Sequence, residues 1–349
     1  MVMVSTATPL VAHQMDVMLE AATTPLVSML VAAWNEAEML PRMLTSFAAL
    51  RYPNKELILC AGGEDGSEQI ARRWESETIR VLRQVKGEGK RGALERCLAQ
   101  ANGTIVFLTD ADCVLNDAGF EGMIRPILTR EEQITTGTYR PIPEQQANPF
   151  AYLQWAKIHQ RERHDPTHVG SHIVGRNTAL LTDLYRAYLP QIPINTIVED
   201  GYLGLLLQRD GIPIRWLPHC YVETQLQTAI QPYIRQQSRW MRGAWLTGRA
   251  FDSQPLVQHA QRTALYGFYL LATLLLILPF GFLGAIVASV SWGKAVSNYV
   301  AIGRILTKQH PLATYKLWIG GLKLLFADCI VWVRALTLDS WLPNRRGQW

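Results

Sequence analysis

Paired cysteines are missing from this chain. Its five cysteines (Cys60, Cys97, Cys113, Cys220 and Cys329) are odd in number, scattered, and never arranged as C-x-x-C. That excludes a disulfide framework and a thiolate zinc site, and it suits a reducing compartment. A basic N-terminal stretch followed by an apolar run is also missing, since Asp16 and Glu20 intervene. Residues 1–24 therefore read as a flexible leader and not as a secretory signal. No internal repeat or low-complexity tract occurs, which excludes solenoid and linker-like architectures.

Acidic residues are scarce in the last third. Residues 232–349 hold 13 Lys and Arg against 3 Asp and Glu, whereas residues 1–231 hold 21 against 26. The formal net charge of +5 thus hides an acidic body and a basic C-terminal part. That part contains the most apolar segment, a combination that fits a membrane surface and no nucleic acid. Charge is absent from Thr263 to Gly293, a run of 31 residues. A bilayer span needs roughly 20 residues, so the run suffices for one tilted helix and not for two full spans. Leu278-Pro279-Phe280-Gly281 at its middle offers an alternative, a break that makes a re-entrant hairpin. Residues 317–338 are apolar but contain Lys323, Asp328 and Arg334. Charges at a membrane helix centre cost ~2.5–3.5 kcal/mol each, which favours an interfacial amphipathic helix or a poorly inserted second span. Basic residues flank the uncharged run on both sides (Arg249, Arg262; Lys294, Arg304, Lys308), so charge leans towards both flanks being cytoplasmic.

What is present is a core-forming chain of 349 residues, 48% of them hydrophobic. Apolar strand-like runs at 26–33, 56–61, 79–83 and 104–109 alternate with helical stretches near 35–50, 66–74 and 88–101. This alternation predicts a right-handed, mostly parallel α/β sheet, whose ligands bind at the carboxyl ends of the strands. Further on, the pattern predicts strands at 133–139 and 213–222 and helices at 148–163, 198–207 and 231–248. The apolar run 103–109 ends in Asp110-Ala111-Asp112. Residues i and i+2 of a strand share a face, so both carboxylates converge if strand geometry persists. Two hard oxygen ligands at one point suit Mg²⁺ or Mn²⁺, which also takes nucleotide phosphate oxygens.

Four more signatures accompany this pair in order: Ala32-Ala33-Trp34-Asn35-Glu36, Gly89-Lys90-Arg91-Gly92-Ala93-Leu94, Glu199-Asp200, and Gln236-Gln237-Ser238-Arg239-Trp240. Together they resemble the inverting family-2 glycosyltransferases, the group of cellulose, chitin and hyaluronan synthases, over about residues 25–250. The resemblance implies a GT-A nucleotide-diphospho-sugar transferase fold (25–250) followed by membrane-associated helices (251–349). It places Glu36 at the nucleoside, Lys90 near the nucleotide, and Asp110 and Asp112 at nucleotide and metal, with Asp112 the more direct ligand. Asp200 is then the general base, and Gln236, Arg239 and Trp240 form the QxxRW element beside the donor diphosphate and acceptor. The implied activity is transfer of a hexose or N-acetylhexosamine from a nucleotide-diphosphate sugar, UDP being favoured, to a hydroxyl. The implied acceptor is a lipid or glycan at the plasma (inner) membrane, with the catalytic domain cytosolic.

Elementary chemistry agrees with these roles. Expulsion of a nucleoside diphosphate builds negative charge that a divalent cation and a guanidinium both stabilise. Arg239 can bond two phosphate oxygens with one fork. A carboxylate base typically contributes ~10²–10⁴-fold, and one base without a covalent intermediate implies inversion. Taken alone, Glu199 and Asp200 would read as helix-start carboxylates. His159, His164, His168 and His172 form no compact ligand pair and read as a solvated loop or acceptor-side surface. One departure stands out. The family carries an aspartate for the nucleobase at the end of its second strand, where this chain has Ala61, with Glu64 or Asp65 as substitutes. A non-catalytic membrane scaffold is therefore an alternative. A sugar nucleotidyltransferase is another, although residues 30–40 lack its glycine-rich pyrophosphate loop.

Overall fold

A computed structural model describes residues 24–162 and 167–337. The first half is built as its apolar runs require. Strand β1 (Val27–Trp34), helix α1 (Leu40–Ala49), β2 (Lys55–Gly62), α2 (Ser67–Arg72), β3 (Ile79–Arg83), α3 (Gly89–Ala99) and β4 (Ile105–Leu108) follow in order. Strands β3, β2, β1 and β4 are neighbours and all parallel. β1, β2 and β4 are apolar on both faces because helices cover both, whereas the edge strand β3 exposes Arg80 and Arg83. Val27, Met29, Leu57, Leu59, Phe47 and Phe120 pack in one layer, and Leu30, Ile58, Leu94, Val106, Tyr185 and Leu206 in the other.

The sheet then changes direction. It continues through β5 (Cys113–Val114), α4 (Asp117–Leu128), β6 (Ile134–Pro141), α5 (Pro149–Glu162), β7 (His168–Val169), β8 (Thr178–Leu181), α6 (Thr182–Tyr188), α7 (Glu199–Arg209) and β9 (Ile214–Thr224). The order is β3-β2-β1-β4-β8-β6-β9-β5, with β7 also on β9. β8 runs antiparallel to β4 and β6, while β6 and β9 are parallel. The register of β6 against β9 slips between Thr136 and Thr138. The Asn177 amide bridges that slip, donating to Thr138 O (2.9 Å) and Cys220 O (3.0 Å). Buried backbone carbonyls there are thus satisfied by a side chain where the ladder fails. The mostly parallel expectation holds for β1 to β4 and for the β6–β9 pair, while β8, β5 and β7 run antiparallel to their neighbours.

Two details correct the reading of the early chain. Asn35 sits at φ 57°, so the helix expected from Asn35-Glu36 begins only at Leu40, with a proline in its first turn. The aspartate pair lies past β4, in a turn closed by Cys113 N–H donating to Asp110 O (3.1 Å). Turn geometry, and not strand alternation, places both carboxylates on one side.

The C-terminal helices are α8 (Ile230–Ala250), α9 (Gln254–Leu275), α10 (Ile277–Leu306) and α11 (Thr314–Thr337). The uncharged run is therefore not one tilted helix. It doubles back at Gly281, whose φ of 47° interrupts α10 near its start. Trp292 Nε1 donates to Leu270 O (3.0 Å) and Tyr269 hydroxyl meets Ser291 Oγ (3.1 Å), which closes the two arms into a hairpin. In α11, Asp328 turns inward and is 3% exposed. It accepts hydrogen bonds from Tyr233 of α8 (2.6 Å), Tyr299 of α10 (2.5 Å) and Lys157 of α5 (3.0 Å). The charge that argued against an apolar α11 thus faces neighbouring helices.

Candidate active site

The site lies at the carboxyl ends of β1, β2 and β4, where strand backbone runs out and side chains take over. At the ends of β1 and β2, Asn35 N–H donates to Gly62 O (3.1 Å) and Asn35 Oδ1 accepts Glu64 N–H (2.8 Å). A Cβ on Gly63 would stand 2.2 Å from that oxygen, and its φ of 116° also requires glycine. Ser67 Oγ accepts the Glu36 N–H (2.7 Å), and Asp65 Oδ2 accepts the Ala37 N–H (2.9 Å). The two loops are therefore stitched together around Glu36. Asp65 also accepts from the Ser67 hydroxyl and N–H. Burial raises its carboxyl, but the Ser67 and Ala37 hydrogen bonds outweigh this and hold it below the usual range. Ala61 is fully buried inside β2, and Glu64 is exposed near Lys86 (3.5 Å). Of the two substitutes for the missing aspartate, Asp65 is the one fixed beside Glu36.

Charged groups converge behind this loop. Lys90, at the start of α3, bridges Asp110 Oδ1 and Glu199 Oε1, each at 2.8 Å. Burial opposes a charged lysine, but the Asp110 and Glu199 carboxylates outweigh it and hold the ammonium well above its ordinary pKa. Burial likewise opposes ionised Asp110, yet Lys90, Arg176 and Arg239 pull its carboxyl down to about 2. Asp112 goes the other way. Burial pushes it up, and the adjacent Asp110 adds to this against the pull of Arg176. Burial, then Asp112 and Asp110, push Glu36 up to about 8. Arg239 of α8 is drawn down by burial and held by the fields of Glu199, Asp110 and Glu36.

Asp200 is half-buried in the first turn of α7. Its Oδ2 accepts the Gly175 N–H (3.1 Å) and its Oδ1 the Gly201 N–H (2.8 Å). Two backbone donors fix the carboxylate's orientation, as a positioned base requires. Gln236, Arg239 and Trp240 are half-buried on α8 and spaced i, i+3, i+4, hence on one helix face. Glu36, Lys90, Asp110, Asp112, Asp200 and Arg239 are thus brought into one charge network, with Glu199 as an unplanned member. For the histidines, His168 pairs with Glu132 (2.8 Å) and His172 lies against Trp216 (5.7 Å). His164 falls outside the described residues.

Sequence reasoning missed the segment Gly175-Arg176-Asn177. Gly175 holds Asp200, and Asn177 seals the β6–β9 slip. Arg176 reaches Asp110 Oδ2 (3.3 Å), Asp112 Oδ2 (3.6 Å) and Thr224 Oγ1 (2.6 Å). The only sequence signal was a Gly-Arg-Asn before the short apolar run Thr178–Leu181.

The donor set suits a divalent cation. Five carboxyls (Glu36, Asp110, Asp112, Glu199, Asp200) face three cations (Lys90, Arg176, Arg239), which leaves negative charge to be neutralised. Among the described residues no three His, Cys, Asp or Glu side chains close round one cation position. An open pair of carboxylates is what Mg²⁺ or Mn²⁺ uses when water and phosphate complete its shell. Asp110 and Asp112 are the residues that would hold it.

Comparison with known proteins bears on the same residues. The description Glycosyl transferase family 2 matches residues 28–189, which include Glu36, Lys90, Asp110, Asp112 and Arg176. Those residues, just under half of the chain, are similar to a glycosyl transferase family 2 domain. Glycosyltransferase AglE of Haloferax volcanii is 28% identical over 97 residues, 26% of this chain and 32% of that protein. A poly-beta-1,6-N-acetyl-D-glucosamine synthase of Staphylococcus epidermidis is 31% identical over 93 residues, 26% of this chain and 23% of that protein. The chain thus matches a third or less of these relatives' lengths. A mannosyltransferase from Pyrobaculum calidifontis, solved in complex with GDP-Man and Mn²⁺, superposes with a TM-score of 0.56. It is 16% identical, over 94% of this chain and 96% of that one. The fold is the GT-A glycosyltransferase fold, and the likeness extends into the C-terminal helices.

Proposed function

We propose that this protein is an inverting family 2 glycosyltransferase working at a membrane. It moves a hexose or N-acetylhexosamine from a nucleoside-diphosphate sugar, with UDP the favoured carrier, to a hydroxyl of a lipid or glycan acceptor. The observation that carries this reading is Asp200, clamped by two backbone N–H groups within the same network as Asp110, Asp112 and Arg239. Asp200 takes the proton of the acceptor hydroxyl as the new glycosidic bond forms. Arg239 binds the departing diphosphate and offsets its charge. Lys90 holds Asp110 and Glu199 in place and favours the ionised form of Asp110. Glu36 lies at the nucleoside. Trp240 offers its flat face to a sugar ring. A cation bound by Asp110 and Asp112 would supply Lewis-acid stabilisation of the leaving diphosphate.

Membrane attachment rests on the hairpin tip. Leu278, Phe280, Phe282 and Leu283 are 84%, 61%, 79% and 68% exposed. Apolar side chains grouped this way, with Arg262 and Lys294 at the other end of the arms, fit a bilayer and its anionic surface. Among the described residues one helix, Ile277–Leu306, is long and apolar enough to cross a membrane. A cytosolic catalytic domain on the plasma membrane is consistent with this arrangement.

The test is release of nucleoside diphosphate by detergent-purified protein offered UDP-, GDP- and dTDP-sugars, with Mn²⁺ or Mg²⁺ and a lipid extract. Release from one donor, lost in Asp200→Asn, is expected. A folded protein that releases nothing and binds no nucleotide would support the scaffold reading instead.

A further inference from the structure

Arg176 is the one cation of the site with no counterpart among the signatures that led to it. It stands just before β8, and its guanidinium spans both members of the aspartate pair, at 3.3 Å from Asp110 Oδ2 and 3.6 Å from Asp112 Oδ2. Thr224 at the end of β9 fixes it by a 2.6 Å hydrogen bond to Oγ1. The ring of Tyr139 on β6 lies 5.0 Å from the guanidinium carbon, within cation–π range. The side chain is only 13% exposed. A buried guanidinium held by two carboxylates, a hydroxyl and a ring is thoroughly positioned. It is placed against the two groups that would receive a divalent cation.

Charge explains what such a residue does. A carboxylate pair without a counter-ion repels itself, and burial worsens this. Arg176 relieves the repulsion and at the same time repels an incoming metal ion. It is also a phosphate ligand by chemistry, with a fork that bonds two oxygens.

We infer that Arg176 is a positioning residue of the donor site that competes with the divalent cation for Asp110 and Asp112, so that metal binds firmly only together with a diphosphate that engages Arg176. The inference rests on the glycosyltransferase reading for the identity of the diphosphate. Its metal-competition half depends only on the residues. An arginine with a purely structural role would act differently: removing it would loosen the turn and weaken metal binding or leave it unchanged.

The experiment is titration of the full-length, detergent-purified protein with Mn²⁺, followed by paramagnetic resonance of the free ion, with and without UDP or GDP. In the native chain Mn²⁺ alone binds weakly, and the nucleotide tightens it by a factor within the usual coupling range of about 5–150. Arg176→Gln removes a unit charge a few ångströms from the metal position and should bind Mn²⁺ alone about tenfold or more tightly. It should also lose most of the coupling to nucleotide. Arg176→Lys keeps the charge without the fork; it should keep weak binding of Mn²⁺ alone and lose the coupling. Unchanged or weaker Mn²⁺ binding in folded Arg176→Gln would overturn the inference. If that variant does not fold, full coupling in Arg176→Lys would overturn it. Absence of nucleotide binding in the native chain would count against the glycosyltransferase reading, while the metal-alone comparison would still decide the competition.

Discussion

Asp200 has little room to move. A Cβ built on Gly175 would stand 2.9 Å from both Asp200 Cβ and Oδ2. Gly175→Ala should therefore push the carboxylate off its two backbone donors while leaving Lys90, Asp110 and Arg239 untouched. The expected result is a fall in kcat of about tenfold or more with little change in donor KM, because a mis-set base affects the transition state and not donor binding. Equal kcat in the alanine variant would show that Asp200 does not need this clamp. Glu36 supplies a pH signature. Burial and the nearby Asp112 and Asp110 push its carboxyl up to about 8 in the folded chain, from an ordinary 4.5. A raised carboxyl favours folding fully below its unfolded pKa, and that benefit is lost as pH rises through the folded one. Glu36→Gln removes the dependence, so its thermal advantage should grow between pH 4.5 and about 8 and level off above. A difference in Tm that stays flat across that window would contradict the placement of Glu36 among unrelieved carboxylates.

At the scale of elements, α8 connects the chemistry to the C-terminal helices. It carries Gln236, Arg239 and Trp240, and three residues before Gln236 it carries Tyr233, which hydrogen-bonds Asp328 of α11. Asp328 also holds Tyr299 and Lys157, so one buried carboxylate ties α5, α8, α10 and α11. Asp328→Ala would leave a lysine and two buried hydroxyls unpaired. A loss of about 3 kcal/mol or more is expected from thermal or denaturant unfolding, larger than for Lys157→Ala, whose side chain is 40% exposed. The hairpin makes a separate prediction. Its uncharged arms, residues 263–280 and 282–293, would extend about 27 Å and about 18 Å as helices. The flanks Arg262 and Lys294 therefore lie at one end and the Leu278–Leu283 tip at the other. Cysteines placed at the two flanks should label from the same side of sealed vesicles. Labelling from opposite sides would contradict a hairpin.

At the scale of the molecule, what could be read in the sequence followed the range of the forces involved. The strands β1, β2 and β4 were legible because burial on both faces demands continuous apolar runs, β3 by its alternating Ile79, Val81 face, and the turns between them use glycine. The network members Glu36, Lys90, Asp200 and Arg239 were singled out by the family resemblance, and Asp110 and Asp112 also as two carboxylates closing an apolar run. In the second half β6 and β9 were legible as runs at 133–139 and 213–222, but β8 with four residues and β5 and β7 with two each were too short to show a period. Arg176 was hidden for a related reason. Its partners Asp110, Thr224 and Tyr139 are far apart in the chain, so only the sheet order reveals their meeting. The doubling back of the C-terminal run hinged on Gly281, where a Leu-Pro-Phe-Gly stretch left both a tilted helix and a hairpin open.

The central claim is that a donor diphosphate and a single carboxylate base meet in this network. The most direct measurement is single-turnover release of nucleoside diphosphate, recorded beside nucleotide affinity, in the native chain and in Asp200→Asn. Release slowed by about 10²-fold or more with nucleotide affinity retained is expected when the base alone is removed. Equal release rates in the two proteins would contradict the assignment of Asp200 and the single-displacement mechanism built on it.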